Sequence, residues 1–380
     1  MHGRVRLASP HGARHHDDRR RGPGPTADPR RQKETNVKIL ITGGTGFIGS
    51  RLARELLARG TLNDRRIERL VLADQFPAPV AAADIVRDPR VEVRVGKLLE
   101  QCEAFKADRF DGVFHLASAV SGECEADFEL GLRSNLDSTR ALLDALRAAG
   151  NVPRLVFSSS VAVFGPDASN PMPPLVRDDT LPTPQTSYGT QKLICEHLVS
   201  DYTRKGFIDG RSARLMTVTV RPGKPNKAAS SFFSGIIREP LAGLEAVLPV
   251  DPSVSHPVSS PARTVAGLIA VFEATQEQMG GRTGLNLPAL NVKVSDMLDA
   301  LEAVAGKGVR ALVRHQPDPT IERIVSGWSK GAVAARAERL GLKPEAQFAD
   351  IILQYIADHP HAVTESARAA AAAYRKTRSH

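Results

Sequence analysis

The chain is poor in cysteine and lacks long apolar runs. It has three cysteines in 380 residues, Cys102, Cys124 and Cys195, and none lies three positions from another. This spacing argues against a CxxC zinc or redox site and against a disulfide framework. No apolar run approaches the roughly 18 residues that a membrane-spanning helix needs, and the N-terminus lacks the apolar segment of a signal peptide. These absences predict a protein with no bound metal and no membrane partner, located in the reducing cytoplasm.

A strong excess of one charge is missing from the body of the chain. The 51 basic and 42 acidic residues give a formal charge of +9, but residues 1–36 hold nine basic groups against four acidic ones, and residues 361–380 hold four against one. Residues 37–360 are nearly neutral, and only 5% of all residues are aromatic. Nucleic-acid-binding faces concentrate positive charge and interleave aromatic side chains, so the composition disfavours a nucleic-acid partner.

The hydrophobic residues, 42% of the chain, suffice for a large core. Residues 1–36 are polar and rich in breakers, and we expect a disordered basic extension or translation from an upstream start codon; a basic anchor or a metal-binding histidine segment remains an alternative. Residues 37–221 alternate short strand patterns with longer helical ones, which predicts an α/β protein with a doubly wound parallel sheet. Residues 222–360 are predicted to form a smaller, mostly helical lobe. Residues 361–380 are predicted to be a basic tail, with a frayed, solvated helix from Ser366 to His380.

Individual elements can be placed from the same patterns. Residues 127–149 and 187–205 are predicted to be long helices, and residues 215–220 a strand that completes the first region. A short strand is expected near Val309. Ser295 precedes an apolar helical pattern and is predicted to be its N-cap.

A glycine-rich segment directly follows the first predicted strand and opens a helix. Its glycines permit a tight turn and a close approach of backbone N–H groups to a pyrophosphate, which the positive end of the helix stabilises. Asp74 ends a later predicted strand, where a carboxylate accepts hydrogen bonds from ribose hydroxyls and repels a 2′-phosphate. The pattern predicts a site for NAD rather than NADP, with a structural turn as the alternative. The expected cofactor contacts are Gly43, Gly46, Phe47, Ile48, Gly49 and Asp74.

Tyr188 and Lys192 lie one helical turn apart, so on a helix both side chains project from one face. Ser160 ends a predicted strand shortly before them. Oxidation of a hydroxyl needs a proton acceptor; Lys192 would favour the phenolate of Tyr188, and Ser160 would hold the substrate oxygen. The three are therefore candidate catalytic residues, although a surface tyrosine, an exposed lysine and a serine-rich turn would give the same pattern.

Four motifs, in order and spacing, resemble the extended short-chain dehydrogenase/reductase family of NAD-dependent epimerases and dehydratases. They occupy residues 42–49, 114–117, 158–165 and 188–192. The resemblance covers about residues 37–355. It implies an NAD-dependent oxidoreductase with a Rossmann-type sheet over residues 37–221 and a substrate-binding lobe over residues 222–360.

The resemblance implies that three residues act in catalysis and also contact the cofactor: Ser160, Tyr188 and Lys192. It further implies that the backbone passes the cofactor at Leu116 and Ala117, and a helical asparagine of the family matches Asn135. Two positions depart from the family's pattern, with Phe164 where tyrosine is frequent and Lys97 where aspartate is frequent. The first departure lies on the substrate side and the second at the adenine end, so neither removes a catalytic group.

Residues 221–232, RPGKPNKAASSF, differ from the corresponding loop of sugar-nucleotide epimerases and are similar to that of sugar-acid dehydrogenases of the family. This similarity implies oxidation of the C2 hydroxyl of a small sugar acid, D-erythronate, to 2-dehydro-D-erythronate. A small carboxylate needs cationic or hydroxyl donors at fixed points. His256 is a candidate for orienting the substrate, with a packed loop histidine as the alternative. The expected substrate contacts are Ser118, Ser121, Asn226, Ser230 and Arg263.

Two other functions remain open from the sequence. One is a UDP-sugar epimerase or dehydratase that keeps its NAD tightly bound. The other is a nonenzymatic dinucleotide sensor, although such sensors commonly lose the Tyr/Lys pair that this chain retains. The family resemblance also implies a homodimer through the long helices predicted at residues 127–149 and 187–205.

Overall fold

The computed structural model describes residues 36–223 and 228–378. The strands are β1 Asn36–Thr42, β2 Thr61–Leu62, β3 Arg65–Asp74, β4 Val91–Val95, β5 Gly112–His115, β6 Arg154–Ser160, β7 Leu175–Val176, β8 Asp209–Leu215, β9 Thr217–Val218, β10 Ala246–Leu248, β11 Ser255–Ser259, β12 Leu285–Asn286, β13 Leu290–Lys293, β14 Val313–His315 and β15 Gly331–Ala332. The helices are α1 Phe47–Arg59, α2 Ala83–Val86, α3 Leu98–Asp108, α4 Ser121–Ala126, α5 Phe128–Gly131, α6 Ser138–Ala149, α7 Ser187–Arg204, α8 Phe232–Leu241, α9 Pro261–Glu273, α10 Gln276–Met279, α11 Val294–Ala305, α12 Lys307–Arg310, α13 Pro319–Ser326, α14 Ala335–Arg339, α15 Phe348–Asp358 and α16 Glu365–Arg378.

The main sheet has eight strands, which come from β1 to β12 of the chain. Its order is β12-β8-β6-β5-β1-β3-β2, and β4 also pairs with β3. All pairs in this sheet are parallel except β2 with β3. The chain winds outward in both directions from β1, so a crevice opens where the carboxyl ends of β1 and β5 diverge. The predicted α/β class with a doubly wound parallel sheet is confirmed.

Side chains of β1 alternate between two helical layers, because successive residues of a strand face opposite sides of the sheet. Ile39 and Ile41 are fully buried in a cluster that contains Leu56 of α1 and residues of α9. Leu40 is fully buried in a second cluster that contains Phe105 of α3 and residues of α6 and α7. The sheet is therefore covered on both faces, which fixes the positions of the loops at its carboxyl edge.

A separate apolar core holds the C-terminal helices together. It includes Phe233 of α8, Leu301 of α11 and Ile352 of α15, all fully buried. Ala367 and Ala371 of α16 are buried in the same core. The helix expected from Ser366 is present as α16, but the expectation that it is frayed and solvated is wrong, because its alanine face packs against this core. Residues 379–380 lie outside the described residues.

The chain crosses between the two cores more than once. β12 pairs with β8 in the main sheet, α9 covers the same sheet, and β7 pairs with β15. The predicted boundary at residue 221 therefore does not separate two independent domains. Asn36 already belongs to β1, and the rest of the predicted N-terminal extension lies outside the described residues.

Two predicted elements differ from the structure. The helix expected over residues 127–149 is interrupted by a π-helical segment, Leu132–Asp137, where hydroxyl groups of the next turn bond back to carbonyls four residues earlier. The strand expected over residues 215–220 begins earlier, as β8, because buried charged residues obscured its apolar pattern. Arg214 of β8 pairs with Glu196 of α7 at 2.8 Å, and both side chains are nearly inaccessible to solvent.

Within residues 36–223 and 228–378, the length and hydropathy of the helices give no candidate for a membrane-spanning segment.

Candidate active site

One cavity of about 940 Å³ follows the carboxyl edge of the main sheet. At one end it is lined by the glycine-rich segment and Asp74, and its wall continues past Ser160, Tyr188 and Lys192 to Trp328. The cavity has the size of a small-molecule site. It brings the predicted cofactor residues and the predicted catalytic residues into one continuous space.

The glycine-rich segment makes a turn that larger residues could not form. Gly43 has a φ of 68°, and a Cβ atom there would lie 2.9 Å from the backbone nitrogen of Ala117. A Cβ atom on Gly49 would lie 2.1 Å from the carbonyl oxygen of Gly43. Gly46 is the N-cap of α1 and has no side chain to bond the first N–H groups of the helix. These N–H groups and the helix dipole suit a pyrophosphate, so the turn fits NAD.

Asp74 connects the turn to the end of β3. One carboxylate oxygen accepts a hydrogen bond from the backbone N–H of Thr45 at 3.2 Å, and the other accepts one from Phe76 at 3.2 Å. Each carboxylate oxygen retains further lone-pair capacity for a ribose hydroxyl. The position and charge of Asp74 therefore suit the adenosine ribose of NAD.

Two elements, β6 and α7, supply the three predicted catalytic residues that line the cavity: Ser160, Tyr188 and Lys192. Ser160 is the last residue of β6, and its hydroxyl oxygen accepts a hydrogen bond from the N–H of Ala162 at 3.1 Å. Tyr188 lies in the first turn of α7, and the Nζ atom of Lys192 lies 5.5 Å from the centre of its ring. Lys192 also donates a hydrogen bond to the carbonyl of Ser158 at 2.8 Å. The strand and the helix are thus joined directly through the lysine.

Burial changes the acidity of both titratable groups. It raises the pKa of Tyr188 to about 12, while a hydrogen bond with Ser160 and the positive charge of Arg221 oppose the rise. Burial lowers the pKa of Lys192 to about 8. At neutral pH the tyrosine is therefore a phenol and the lysine mostly an ammonium group. The shift of each group toward its neutral form is typical of a desolvated functional site.

Asn135 in the π-helical segment supports this arrangement from behind. Its side-chain oxygen accepts hydrogen bonds from the N–H of Ala119 at 2.7 Å and from the hydroxyl of Ser118 at 3.0 Å. Its amide nitrogen donates to Gln191, which precedes Lys192, at 2.8 Å. Asn135 therefore ties the loop after β5 to the helix that carries Tyr188 and Lys192.

Three comparisons with known proteins agree with this geometry. Residues 39–253 match the model of the NAD dependent epimerase/dehydratase family. D-Erythronate dehydrogenase of Cupriavidus necator is 47% identical over 328 residues, which cover 85% of this chain and 98% of that protein. D-Erythronate dehydrogenase of Haemophilus influenzae is 39% identical over 322 residues, which cover 84% of this chain and 99% of that protein. A nucleoside-diphosphate-sugar epimerase of Agrobacterium tumefaciens has a structure with a TM-score of 0.80, 43% identity, and coverage of 86% of this chain and 95% of its own.

The chain belongs to the NAD dependent epimerase/dehydratase family. It is an NAD-dependent oxidoreductase, so the family, the enzyme class and the cofactor expected from the sequence are confirmed. The glycine turn and Asp74 fit this cofactor. Leu116 and Ala117 line the cavity beside the turn, and their N–H groups donate to the hydroxyl of Thr42 at 3.2 and 3.3 Å.

The predicted substrate contacts have different outcomes. Ser118, Ser121 and Ser230 line the cavity, although the Ser118 hydroxyl already bonds to protein atoms. Asn226 lies outside the described residues. Arg263 is exposed in the first turn of α9 and does not line the cavity, so its prediction as a substrate contact is corrected: its position on α9 leaves the side chain in solvent.

His256 lines the cavity with both ring nitrogens already in use. One nitrogen contacts the hydroxyl of Thr217 at 2.7 Å, and the other lies 3.2 Å from the carbonyl of Ser329. Its ring stacks on Phe233 with centroids 5.0 Å apart. Burial lowers its pKa to about 4, so the ring is neutral. The structure thus gives His256 the contacts of a packed histidine.

Arg221 lines the cavity, although its sequence context marks it only as part of the loop of residues 221–232. It follows β9, is partly buried and lines the wall on the side of Tyr188. Its sequence signal was weak because arginine is frequent in this chain and a loop position carries no periodicity. Only the folded arrangement separates it from Arg263.

Proposed function

We propose that this oxidoreductase oxidises the C2 hydroxyl of D-erythronate to 2-dehydro-D-erythronate and reduces NAD. The observation that carries the proposal is the similarity, over nearly the full length of the relatives, to two proteins named D-erythronate dehydrogenase. The site supports it, because a hydroxyl-binding serine, a tyrosine and a lysine line the same cavity as the glycine turn. The cavity supplies both the cofactor groove and the proton acceptor that such an oxidation requires.

The glycine turn from Gly43 to Gly49 and Asp74 would hold NAD along the carboxyl edge of the sheet. When bound, NAD accepts the hydride that leaves the substrate carbon. Tyr188 acts in its ionised form: after its own proton has left to solvent, the phenolate oxygen takes the proton of the C2 hydroxyl. The hydroxyl oxygen of Ser160 accepts a hydrogen bond from the N–H of Ala162. Its own hydrogen is directed at Tyr188 in the free protein, and it would turn to the substrate oxygen when substrate binds.

The charges around Tyr188 reduce the free energy needed to ionise it. Its pKa of about 12 in the free protein means that the phenol holds its proton at physiological pH. The ammonium group of Lys192, fixed by its bond to the Ser158 carbonyl, favours the phenolate electrostatically. Lys192 therefore acts on the proton-transfer step through position and charge.

The test is formation of NADH from D-erythronate and NAD by the purified protein, together with a series of four- to six-carbon aldonates. We expect Tyr188→Phe to lower kcat by at least about 10²-fold, the contribution typical of a general base, while the fold and most of the NAD affinity are kept. Tyr202→Phe is the matched control, since Tyr202 lies near the far end of the same helix and bonds to Asp144 at 2.6 Å. Normal turnover of Tyr188→Phe would reject the role of Tyr188.

The second candidate is a UDP-sugar epimerase with tightly bound NAD. It is favoured by the similarity to the structure named nucleoside-diphosphate-sugar epimerase. An epimerase interconverts UDP-sugars without net formation of NADH, whereas the proposed dehydrogenase forms one NADH for each acid oxidised. Formation of NADH from D-erythronate supports the dehydrogenase, and interconversion of UDP-sugars supports the epimerase. The homodimer inferred from the family resemblance stays a prediction, which light scattering would test.

A further inference from the structure

Arg221 is held in the cavity wall by its backbone alone. Its N–H donates to the hydroxyl of Ser234 at 3.1 Å, and its carbonyl accepts a hydrogen bond from Arg238 at 2.8 Å. Both partners belong to α8, so this helix fixes the point from which the arginine side chain starts. Among the described residues, the guanidinium group itself has neither a hydrogen bond nor an ion pair. It carries five N–H donors, all of which require acceptors when water is displaced.

Within residues 36–223 and 228–378, no carboxylate forms an ion pair with Arg221. Arg238, its neighbouring cation, is paired with Glu239. Residues 221–227 contain no aspartate or glutamate that would neutralise Arg221 from its own loop. Burial and the charge of Arg238 both lower the pKa of Arg221, which indicates a partly desolvated cation. A cation in this state favours an anionic ligand.

The location of Arg221 specifies which part of a ligand it meets. It lines the cavity with Tyr188 and Ser160, and its charge acts on the Tyr188 phenol. In a 2-hydroxy acid, the carboxylate carbon is bonded directly to the carbon whose hydroxyl is oxidised. A substrate whose hydroxyl contacts Tyr188 therefore presents its carboxylate nearby. Apolar residues such as Phe164 and Met216 also line the cavity.

We propose that Arg221 binds the carboxylate of the substrate and makes the enzyme selective for 2-hydroxy acids over neutral polyols. This role rests on the proposed oxidation of a sugar acid. The guanidinium fork matches the two oxygens of a carboxylate and forms two parallel charge-assisted hydrogen bonds. The contact also fixes the orientation of the acid, because it places the carboxylate on one side of C2 and the remaining hydroxyls on the other.

The experiment compares wild type, Arg221→Met and Arg221→Lys in complex with NADH, which prevents turnover. Calorimetry measures the Kd of D-erythronate and of erythritol, the neutral polyol with the same carbon chain. We expect Arg221→Met to weaken D-erythronate binding on the order of 10²-fold and to leave erythritol binding within about threefold. Arg221→Lys should lie between, because lysine keeps the charge without the fork. Arg282→Met, which removes an exposed cation remote from the cavity wall, is the matched control and should bind D-erythronate like wild type.

The outcomes separate this role from the proposed function. If wild type oxidises D-erythronate but Arg221→Met keeps its preference for the acid over erythritol, the role of Arg221 is overturned and the proposed function stands. If Arg221→Met lost affinity for D-erythronate and erythritol alike and also bound NADH more weakly, the role of Arg221 would be overturned, because these losses would indicate a general structural effect. If wild type binds no sugar acid and interconverts UDP-sugars, the proposed function is rejected and this role with it.

Discussion

Replacing Gly49 with alanine tests the cofactor turn most directly. Gly49 lies in the first turn of α1, beneath the loop that begins at Gly43. A Cβ atom at position 49 would lie 2.1 Å from the Gly43 carbonyl oxygen and 2.7 Å from the Gly44 Cα atom. Both neighbours are backbone atoms, so no side-chain rotation relieves the contact. The turn and the helix must move apart by about 1.3 Å to reach ordinary van der Waals distance.

The structure indicates which of the two parts will move. α1 is anchored by the fully buried side chains of Leu52 and Leu56, whereas the turn faces the cavity. An added methyl group in a well-packed site costs about 1–3 kcal/mol. Displacement of the turn removes N–H groups from the position where they contact a pyrophosphate, and each 1.4 kcal/mol corresponds to about tenfold in affinity. We therefore expect Gly49→Ala to weaken NAD binding by about 5- to 150-fold.

Calorimetric titration with NAD and a thermal melt of the same samples measure the effect. Gly308→Ala is the matched control, because Gly308 lies in the short helix α12 with no atom within 4 Å of an added Cβ. Alanine is a better helix former than glycine, so this variant should bind NAD normally and melt at the same or a higher temperature. If Gly49→Ala bound NAD as tightly as wild type and melted at the same temperature, the assignment of the turn to the cofactor would be refuted.

Two further substitutions test the proton-transfer residues. Gly189→Ala would place a Cβ atom 2.1 Å from the carbonyl oxygen of Ala162, two residues after Ser160, and would push the two segments apart. We expect steady-state kinetics to show a kcat lower by about 10- to 100-fold and calorimetry to show a nearly unchanged NAD affinity. An unaltered kcat would contradict this expectation. Lys192→Met removes the cation that favours the Tyr188 phenolate, so the pH at half-maximal kcat/KM should rise by about one unit or more, and an unshifted pH profile would contradict the electrostatic role.

The parts of the fold that sequence predicts well are those specified by neighbouring residues. The first strand, the glycine turn and α1 follow each other with an apolar run, breakers and a helical period. These patterns predict a strand over residues 37–42 and a helix over about residues 46–59, and both agree with the structure to within one residue. β8 was misplaced because Arg211 and Arg214 are buried in it, against the general tendency of charged residues. Arg211 pairs with Asp209 of the same strand, whereas Glu196, the partner of Arg214, lies on α7 and meets it only after α7 and β8 pack together.

Errors in the C-terminal region have a similar origin. The strand expected near Val309 is the helix α12, and the neighbouring strand lies at β14, where it pairs with β10. The predicted N-cap Ser295 lies inside α11, which begins one residue earlier with Lys293 as its N-cap. Short segments with few apolar residues satisfy several local patterns equally well. Tertiary pairing selects among them, and a single sequence does not contain that pairing in a local form.

The candidate site likewise contains residues that local spacing predicts and residues that only the tertiary fold places, as two arginines illustrate. The glycines, Tyr188 and Lys192 were predicted from their spacing, since a turn and one helical repeat bring each set together wherever the element lies. Arg221 and Arg263 have no such local constraint: both occur in loop-rich sequence after the sheet, and either type of position suits a carboxylate. The connection after β9 points Arg221 into the cavity, whereas Ser260 caps α9 and starts the helix with Arg263 on its exposed face. The proposed role of Arg221 therefore predicts that Arg263→Met leaves D-erythronate binding unchanged where Arg221→Met weakens it.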